Sequence, residues 1–117
     1  MRTFLIALVV FTTLTACKVI ESKPPDVSVS FYKYLGSVQC GGGGESLQSM
    51  EQQLEDAGIS VFTSTCGTDG NIHAAVCGAA DGRIGIFVIP EKQAEAASAL
   101  GFAPLNRLSA PTEVACH

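Results

Sequence analysis

Residues 84–102, IGIFVIPEKQAEAASALGF, carry the pattern from which the fold of this chain is predicted. The stretch opens with a continuous apolar run from Ile84 to Ile89, which is typical of a strand buried on both faces in the middle of a sheet. The proline that follows favours the start of a helix, which the alanine-rich residues 91–100 continue and Gly101 ends. Residues 102–108 then predict another strand. The stretch as a whole therefore predicts a strand–helix–strand unit.

The same order of elements occurs earlier in the chain. Apolar and polar residues alternate at the start of 27–38, which predicts a strand, and the glycine run 41–44 breaks it. A helix is predicted for 45–57, with acids in its first turn and Gly58 as its stop. Its apolar stripe consists of Leu47, Met50, Leu54 and Ala57. A β-branched and aromatic segment, 59–65, predicts the strand that completes this unit.

Tight turns are predicted between the two units. Thr68-Asp69-Gly70-Asn71 and Ala80-Asp81-Gly82 are the turn signals, and residues 72–78 between them predict a returning strand. Two strand–helix–strand units joined in this way resemble the ferredoxin-like βαββαβ plan. The resemblance implies an antiparallel or mixed sheet with both helices on one face. The predicted strand 72–78 is an extra strand in the middle that departs from this plan, and the whole is predicted to be one α+β domain over 27–108. The resemblance implies no function, because many unrelated proteins share this plan. The predicted buried residues are Leu47, Met50, Leu54, Ile59, Val61, Phe87, Val88 and Leu100.

The N-terminus carries a targeting signal. Met1-Arg2 supplies positive charge, and the run from Phe4 to Leu14 is apolar to weakly polar and shorter than the ~20 residues a spanning helix needs. Leu14-Thr15-Ala16-Cys17 follows and resembles the lipobox of bacterial lipoprotein precursors. That resemblance implies removal of residues 1–16, a diacylglyceryl group on the Cys17 sulfur and a further acyl chain, such as palmitate, on its amino group. Two or three acyl chains make a stable anchor.

The residues after Cys17 suggest where the anchored chain goes. In enterobacterial lipoproteins an Asp after the lipidated cysteine resembles an inner-membrane retention signal, and this chain has Lys18 there. The resemblance therefore implies the outer membrane, with the domain facing the periplasm. Residues 17–26 include Pro24-Pro25 and show no periodicity, which predicts a tether.

The charge of the mature chain limits its partners. Residues 17–117 carry six basic residues against eleven acidic ones, a formal charge of about −5. The basic residues are scattered along the chain. Bulk charge therefore argues against binding to nucleic acid or to anionic lipid head groups.

Four cysteines other than Cys17 remain in an exported chain, which predicts two disulfides: Cys40, Cys66, Cys77 and Cys116. Their spacing matches neither a thiol oxidoreductase nor a zinc site. Two parallel strands that end before Cys40 and Cys66 would bring these two cysteines together, which predicts a Cys40–Cys66 bond. The second bond would then be Cys77–Cys116, which would hold the tail 109–117 against the sheet. A two-residue turn would separate Cys66 from Cys77 by roughly 13 Å, beyond the reach of a disulfide. A wider loop would instead allow Cys66–Cys77, with Cys40 bonded to Cys116.

The remaining candidate groups predict no catalytic site. The glycine run 41–44 precedes a helix but lacks the Lys-Ser/Thr of a phosphate loop, so a close-packed turn is expected. His73 and His117 would bind a metal with Cys77 or Cys116 only if those thiols stayed reduced. The acids of the first helix, which are Glu51, Glu55 and Asp56, lie on a predicted solvent face. No nucleophile motif is present, so neither an enzyme nor a cofactor or metal site is predicted.

Two classes of function remain from the sequence. The preferred one is a non-enzymatic envelope lipoprotein whose domain binds another envelope protein. The alternative is a peptidoglycan-binding or other glycan-binding module, because FYKYLGSV, residues 31–38, resembles the aromatic first strand of SPOR domains. That alternative requires Phe31, Tyr32, Tyr34 and Phe87 to line one exposed sheet face. A lesser alternative, thiol redox or metal handling, requires unpaired thiols.

Overall fold

A computed structural model describes residues 27–116 of the chain. It contains five strands, two α-helices and two 3₁₀ turns. In chain order these are β1 Ser28–Tyr34, α1 Leu47–Asp56, β2 Thr63–Thr68, β3 Arg83–Pro90, a 3₁₀ turn Glu91–Gln93, α2 Ala94–Ala99, β4 Ala103–Pro104, a second 3₁₀ turn Leu105–Arg107 and β5 Thr112–Glu113.

The strands form one sheet in the order β4-β1-β3-β2-β5, and all neighbours are antiparallel. Since β1 and β2 both pair with β3, they run parallel to each other with β3 between them. In the same way β3 and β4 flank β1. The two strand–helix–strand units are therefore interleaved, which confirms the α+β class and the βαββαβ order.

The extra strand is not where it was predicted. Residues 71–76 form no strand, and 14 residues, 69–82, connect β2 to β3 without a hairpin. The fifth strand is instead β5, which lies at the sheet edge beside β2. It belongs to the segment 109–117 that was predicted as a tail. The last predicted strand, 102–108, is reduced to the two residues of β4.

Local signals account for the first helix. The Ser46 hydroxyl accepts a hydrogen bond from the Ser49 N–H at 3.0 Å, so Ser46 is the N-cap. The helix therefore starts at Leu47, later than predicted, and Glu45 lies before the cap instead of in the first turn. Gly58 has φ 80°, the left-handed conformation that commonly follows a helix end.

Both helices cover the same face of the sheet, as predicted. On that face the paired residues Phe31 and Phe87 belong to one buried cluster with Met50 and Leu54 of α1 and Ala97 of α2. The rings of Phe87 and Phe102 meet edge to face at 5.5 Å. Of the residues predicted to be buried, Met50, Leu54, Ile59 and Phe87 are buried.

The other four core predictions are not met in full. Leu47 and Val61 are half-buried at the margin of the cluster, and Val88 is half-buried. Leu100 is 38% exposed, so that prediction was wrong. Leu100 is the residue after α2, and Ala97 occupies the buried position of this short helix.

Candidate functional site

Three connections meet at one end of the sheet, which we call the loop end. They are residues 35–46 after β1, 69–82 between β2 and β3, and 108–116 around β5. The Gln39 N–H donates to the Ala79 carbonyl at 2.8 Å, which joins the first connection to the second. The third connection packs against the second at Gly70, where a Cβ would collide with the backbone of Ala110. The loop end encloses an open cavity of about 670 Å³.

Two disulfides hold the loop end together, as the cysteine count predicted, but the pairing differs from both pairings considered. Cys40 is bonded to Cys77 and Cys66 to Cys116, with Cα–Cα distances of 5.0 and 5.2 Å. The first disulfide joins 35–46 to 69–82. The second joins β2 to the segment that follows β5.

The predicted Cys40–Cys66 bond was wrong because the strands do not end beside these cysteines. β1 ends at Tyr34, and Cys40 lies in a turn closed by two hydrogen bonds between Val38 and Gly42, both 3.0 Å. Cys66 is inside β2, opposite Gly85. The predicted Cys77–Cys116 bond was therefore wrong as well, because Cys77 lies in a loop and not in a returning strand.

A buried carboxylate organises the start of the connection 69–82. We call this carboxylate and the residues that contact it the Asp69 cluster, which consists of Tyr34, Asp69, Asn71 and His73. Asp69 is 1% exposed. It accepts hydrogen bonds from the Tyr34 hydroxyl and the Asn71 N–H, both at 3.0 Å, and from the Asn71 side-chain amide at 3.3 Å. The His73 Nε2 atom lies 2.8 Å from both carboxylate oxygens.

Gly82 makes room for this cluster. A Cβ on Gly82 would lie 2.8 Å from the Asp69 Oδ1 atom and closer still to the His73 ring. Gly82 also has φ 74°, and its carbonyl accepts from the Asp69 N–H at 2.9 Å. A residue with a side chain would therefore displace the histidine and strain the backbone.

The Asp69 cluster changes the pKa values of its members. Burial by itself would raise the pKa of Asp69, but the Asn71 N–H, His73 and the Tyr34 hydroxyl outweigh it and hold the pKa below 3.8. Burial and the hydrogen bond to Asp69 raise the pKa of Tyr34 from 10.0 to about 12. Asp69 is therefore a carboxylate at neutral pH, and the Tyr34 hydroxyl keeps its proton.

A second carboxylate has a similar role at the start of β3. Asp81 accepts from the Ser37 hydroxyl at 2.8 Å and from the Arg83 N–H at 3.0 Å. The Arg83 Nε atom lies 3.6 Å from the other carboxylate oxygen. Burial opposes ionisation, but the hydrogen bond from Ser37 and the contacts with Arg83 lower the pKa of Asp81. The Asp81 carboxylate thus ties 35–46 to β3.

Between these carboxylates lies an exposed segment that we call the Ile72 loop, residues 71–76. Ile72 has 102% and Val76 62% relative exposure, so their side chains face water. No backbone–backbone hydrogen bond joins residues 71–75 to any other described residue. Outside the glycines, only Cys40 has a positive φ in the described chain, so the whole loop has negative φ angles. It is an open segment of backbone whose apolar side chains are unpacked.

The remaining predicted groups do not come together. Cys17 and His117 lie outside the described residues, as do the signal peptide and the tether. Glu55 and Asp56 face solvent as predicted, and Glu51 is partly covered. Within residues 27–116 no three His, Cys, Asp or Glu side chains are grouped as they would be around a metal ion.

The close-packed turn expected for the glycine run is confirmed at its last residue but not at Gly42 or Gly43, where a Cβ would meet open space. Gly44 has φ 78°, and a Cβ there would lie 2.7 Å from the Ser37 nitrogen.

The Asp69 cluster was missed from the sequence, although part of its signal is local. Asp-Gly at 69–70 and at 81–82 was interpreted as the turn of a hairpin. In both places the carboxylate instead accepts the N–H two residues on, that of Asn71 or Arg83, which is the geometry of an Asx-turn. The contact with Tyr34, 35 positions away, has no local signal.

Comparison of the chain with protein-family models, with curated proteins and with solved structures gives no match. Over residues 27–116 no helix has the length and apolar character needed to cross a membrane.

Proposed function

We propose that this chain is a lipid-anchored, non-enzymatic protein of the bacterial cell envelope whose folded domain binds another envelope protein. The proposed anchor is the acylated Cys17, and residues 17–26 connect it to the domain. Lys18 supports a location at the outer membrane, facing the periplasm. The proposed contact surface is the Ile72 loop.

The exposure of Ile72 is the observation that carries this proposal. A fully exposed isoleucine gains nothing from packing within its own chain, whereas its burial by a partner would be favourable by about 1.5–3 kcal/mol. Val76 adds a second exposed apolar side chain four residues on. Asp69, which binds Asn71 and His73 of the loop, and the Cys40–Cys77 bond after the loop restrain the segment that presents these side chains. Restraint of this kind lowers the entropy lost on binding.

The acid–histidine pair in the loop end supports a structural role better than a catalytic one. In a nucleophilic triad the ring nitrogen that does not face the acid hydrogen-bonds to a hydroxyl or thiol. Here Nε2 faces Asp69, and no such contact of the other ring nitrogen is found in the described part of the chain. Asp69 also accepts from the loop backbone, so the pair restrains the loop.

The two alternatives find less support. Glycan binding required four aromatic side chains on one exposed sheet face, but Phe31 and Phe87 are buried under the helices. Tyr32 is half-buried, and the hydroxyl of Tyr34, which is 45% exposed, is held by Asp69. Thiol redox or metal handling required unpaired thiols, and the four cysteines form two disulfides.

The proposal is tested by crosslinking in intact cells followed by purification of the tagged protein from the envelope. Three forms are compared: the wild type, the double variant Ile72→Ser/Val76→Ser, and the control Phe62→Ser. Phe62 is 53% exposed and precedes β2 at the opposite end of the sheet, so it matches the loop residues in exposure but not in place.

We expect one crosslinked protein that the wild type and Phe62→Ser retain and that the loop variant loses. The identified protein should then bind the purified wild type, and bind the loop variant at least about 30-fold more weakly. Equal crosslinking by the loop variant and the wild type would contradict the proposed contact surface. The absence of any specific crosslink would contradict the proposed function.

A further inference from the structure

We propose that the partner is an endopeptidase of the envelope, and that the Ile72 loop inhibits it by lying in its substrate cleft with the Ile72 side chain in an apolar specificity pocket. This inference rests on the proposed function and names the kind of protein bound. It follows from the backbone, the flanks and the side chains of the loop.

The backbone of the loop suits a cleft that binds extended peptides. Such clefts pair with main-chain donors and acceptors and place single side chains in pockets. Residues 71–75 have no backbone–backbone hydrogen bond to another described residue. Apart from the Asn71 N–H, which donates to Asp69, their N–H and C=O groups are therefore available for such pairing. Their φ angles are all negative, as an extended or polyproline conformation requires, and residues 71–76 belong to no helix or turn.

Both flanks of the loop are fixed, which distinguishes it from an ordinary docking peptide. On the N-terminal side Asp69 accepts the Asn71 N–H, and its own N–H bonds to Gly82. On the C-terminal side Cys77 is bonded to Cys40, and the Gly78 N–H donates to the Gln39 carbonyl at 3.0 Å. A peptide bond cut between 72 and 76 would leave both new ends attached to the domain.

Attachment at both flanks has a clear consequence for a peptidase. A flexible substrate leaves the cleft after cleavage because its two halves separate. Here the halves stay in place, so the bound state persists whether the bond is intact or cut. A restrained loop also enters the cleft with less loss of conformational entropy than a free peptide.

The side chains indicate the specificity of the enzyme. Ile72 is the most exposed apolar residue of the loop end, and the neighbouring Ala74, Ala75 and Val76 are small or apolar. The loop carries neither Lys nor Arg. An apolar specificity pocket therefore fits it, and an acidic pocket that accepts basic residues does not.

The test measures inhibition by the purified lipoprotein in detergent micelles. The probes are two endopeptidases with apolar pockets, pancreatic elastase and subtilisin, and one with an acidic pocket, trypsin. We expect inhibition of at least one of the first two and none of trypsin. The variant Ile72→Lys should weaken that inhibition at least about 30-fold and inhibit trypsin instead. Because Ile72 packs against nothing, this variant should fold. The control Phe62→Lys should behave like the wild type.

A second variant tests the restraint. Removal of the disulfide in Cys40→Ser/Cys77→Ser should convert the inhibitor into a substrate that is cleaved within 71–76, provided its circular dichroism spectrum remains that of the wild type. If that variant is unfolded, the Ile72→Lys exchange alone decides. Inhibition by the disulfide variant equal to that of the wild type would overturn the argument from the flanks.

Two results would overturn the inference itself. One is rapid cleavage of the wild-type loop without inhibition, and the other is no inhibition of either apolar-pocket enzyme. If crosslinking through the Ile72 loop persists in either case, the proposed function stands and only the identity of the partner is wrong. Loss of both inhibition and loop-dependent crosslinking would overturn both.

Discussion

Replacing Asp69 with asparagine keeps the shape of the side chain but removes the charge that organises the loop end. Three close hydrogen bonds reach this carboxylate, from the Asn71 N–H, the Tyr34 hydroxyl and His73, at 2.8 to 3.0 Å. A hydrogen bond to a charged group contributes about 1.5–3 kcal/mol, against about 0.5–1.5 for a neutral one. The difference is roughly 1 kcal/mol for each bond.

The total should be somewhat smaller than three independent losses. Tyr34 is 45% exposed and the His73 side chain 25%, so both can recover part of their hydrogen bonding from water. We therefore expect Asp69→Asn to lower the free energy of unfolding by about 2–3 kcal/mol. In a domain of this size that corresponds to a fall in Tm on the order of 10–15 °C.

The assay is urea unfolding of oxidised residues 17–117, expressed without residues 1–16 and with Cys17→Ser so that no acyl chain is attached. The matched control is Asp56→Asn, which also removes a carboxylate that accepts a side-chain amide, from Gln52 at 2.7 Å, but on the exposed surface of α1. The control should change the free energy of unfolding by less than about 0.5 kcal/mol. If Asp69→Asn and Asp56→Asn prove equally stable, the carboxylate does not hold the loop end.

Three further predictions concern titration and packing. The pKa values of Asp69 and Asp81 lie below 3.8 in the fold, so their contribution to stability is present above the unfolded value and is lost as the pH falls from about 5 through the folded values. Urea unfolding at a series of pH values should show this loss, and Asp69→Asn should reduce it. The pKa of Tyr34 is raised to about 12, so tyrosinate absorbance should show a step at high pH that Tyr34→Phe removes. The contribution of Tyr34 to stability is complete below pH ~10 and is lost as the pH rises through the folded pKa. Gly85→Ala would place a Cβ 2.9 Å from the buried Phe87 ring and should cost about 1–3 kcal/mol in the same unfolding assay; wild-type stability would contradict that packing.

The parts of the fold that were predicted correctly are those with strong local signals. The apolar run from Ile84 to Ile89 is the central strand, and Met50 and Leu54 lie at helical spacing and are both fully buried. Gly58 and Gly101 end the two helices and both have a positive φ. In each case the residues that decide the structure are neighbours along the chain.

The errors arise where a local signal has two structural outcomes. Asp-Gly followed by apolar residues is typical of a hairpin, but the same pair also forms an Asx-turn when the carboxylate is drawn inward by a partner. Here Tyr34 draws in Asp69 and Ser37 draws in Asp81, across 35 and 44 positions. A short segment of sequence gives no sign of partners so far away. The Asp-Gly pairs were therefore interpreted as hairpin turns, and the wide loop between them as a strand.

The disulfide pairing and β5 were missed for the same reason. Once the wide loop replaces the hairpin, Cys77 moves beside the turn that holds Cys40, and Cys66 is left for Cys116. The two residues of β5 have no strand pattern of their own. They pair with β2 next to the Cys66–Cys116 bond, and the Val114 N–H donates to the Cys66 carbonyl at 2.9 Å.

Anchoring through Cys17 is the feature on which the proposed function depends most, and metabolic labelling with palmitate measures it directly. The wild-type protein should incorporate the label and appear as a processed form that lacks residues 1–16. The variant Cys17→Ser should incorporate none and remain uncut or be cut elsewhere, because serine offers no sulfur for the diacylglyceryl group. Equal expression and an intact Cys40–Cys77 bond in both forms provide the control. Palmitate incorporation that persists in Cys17→Ser would contradict the lipoprotein assignment.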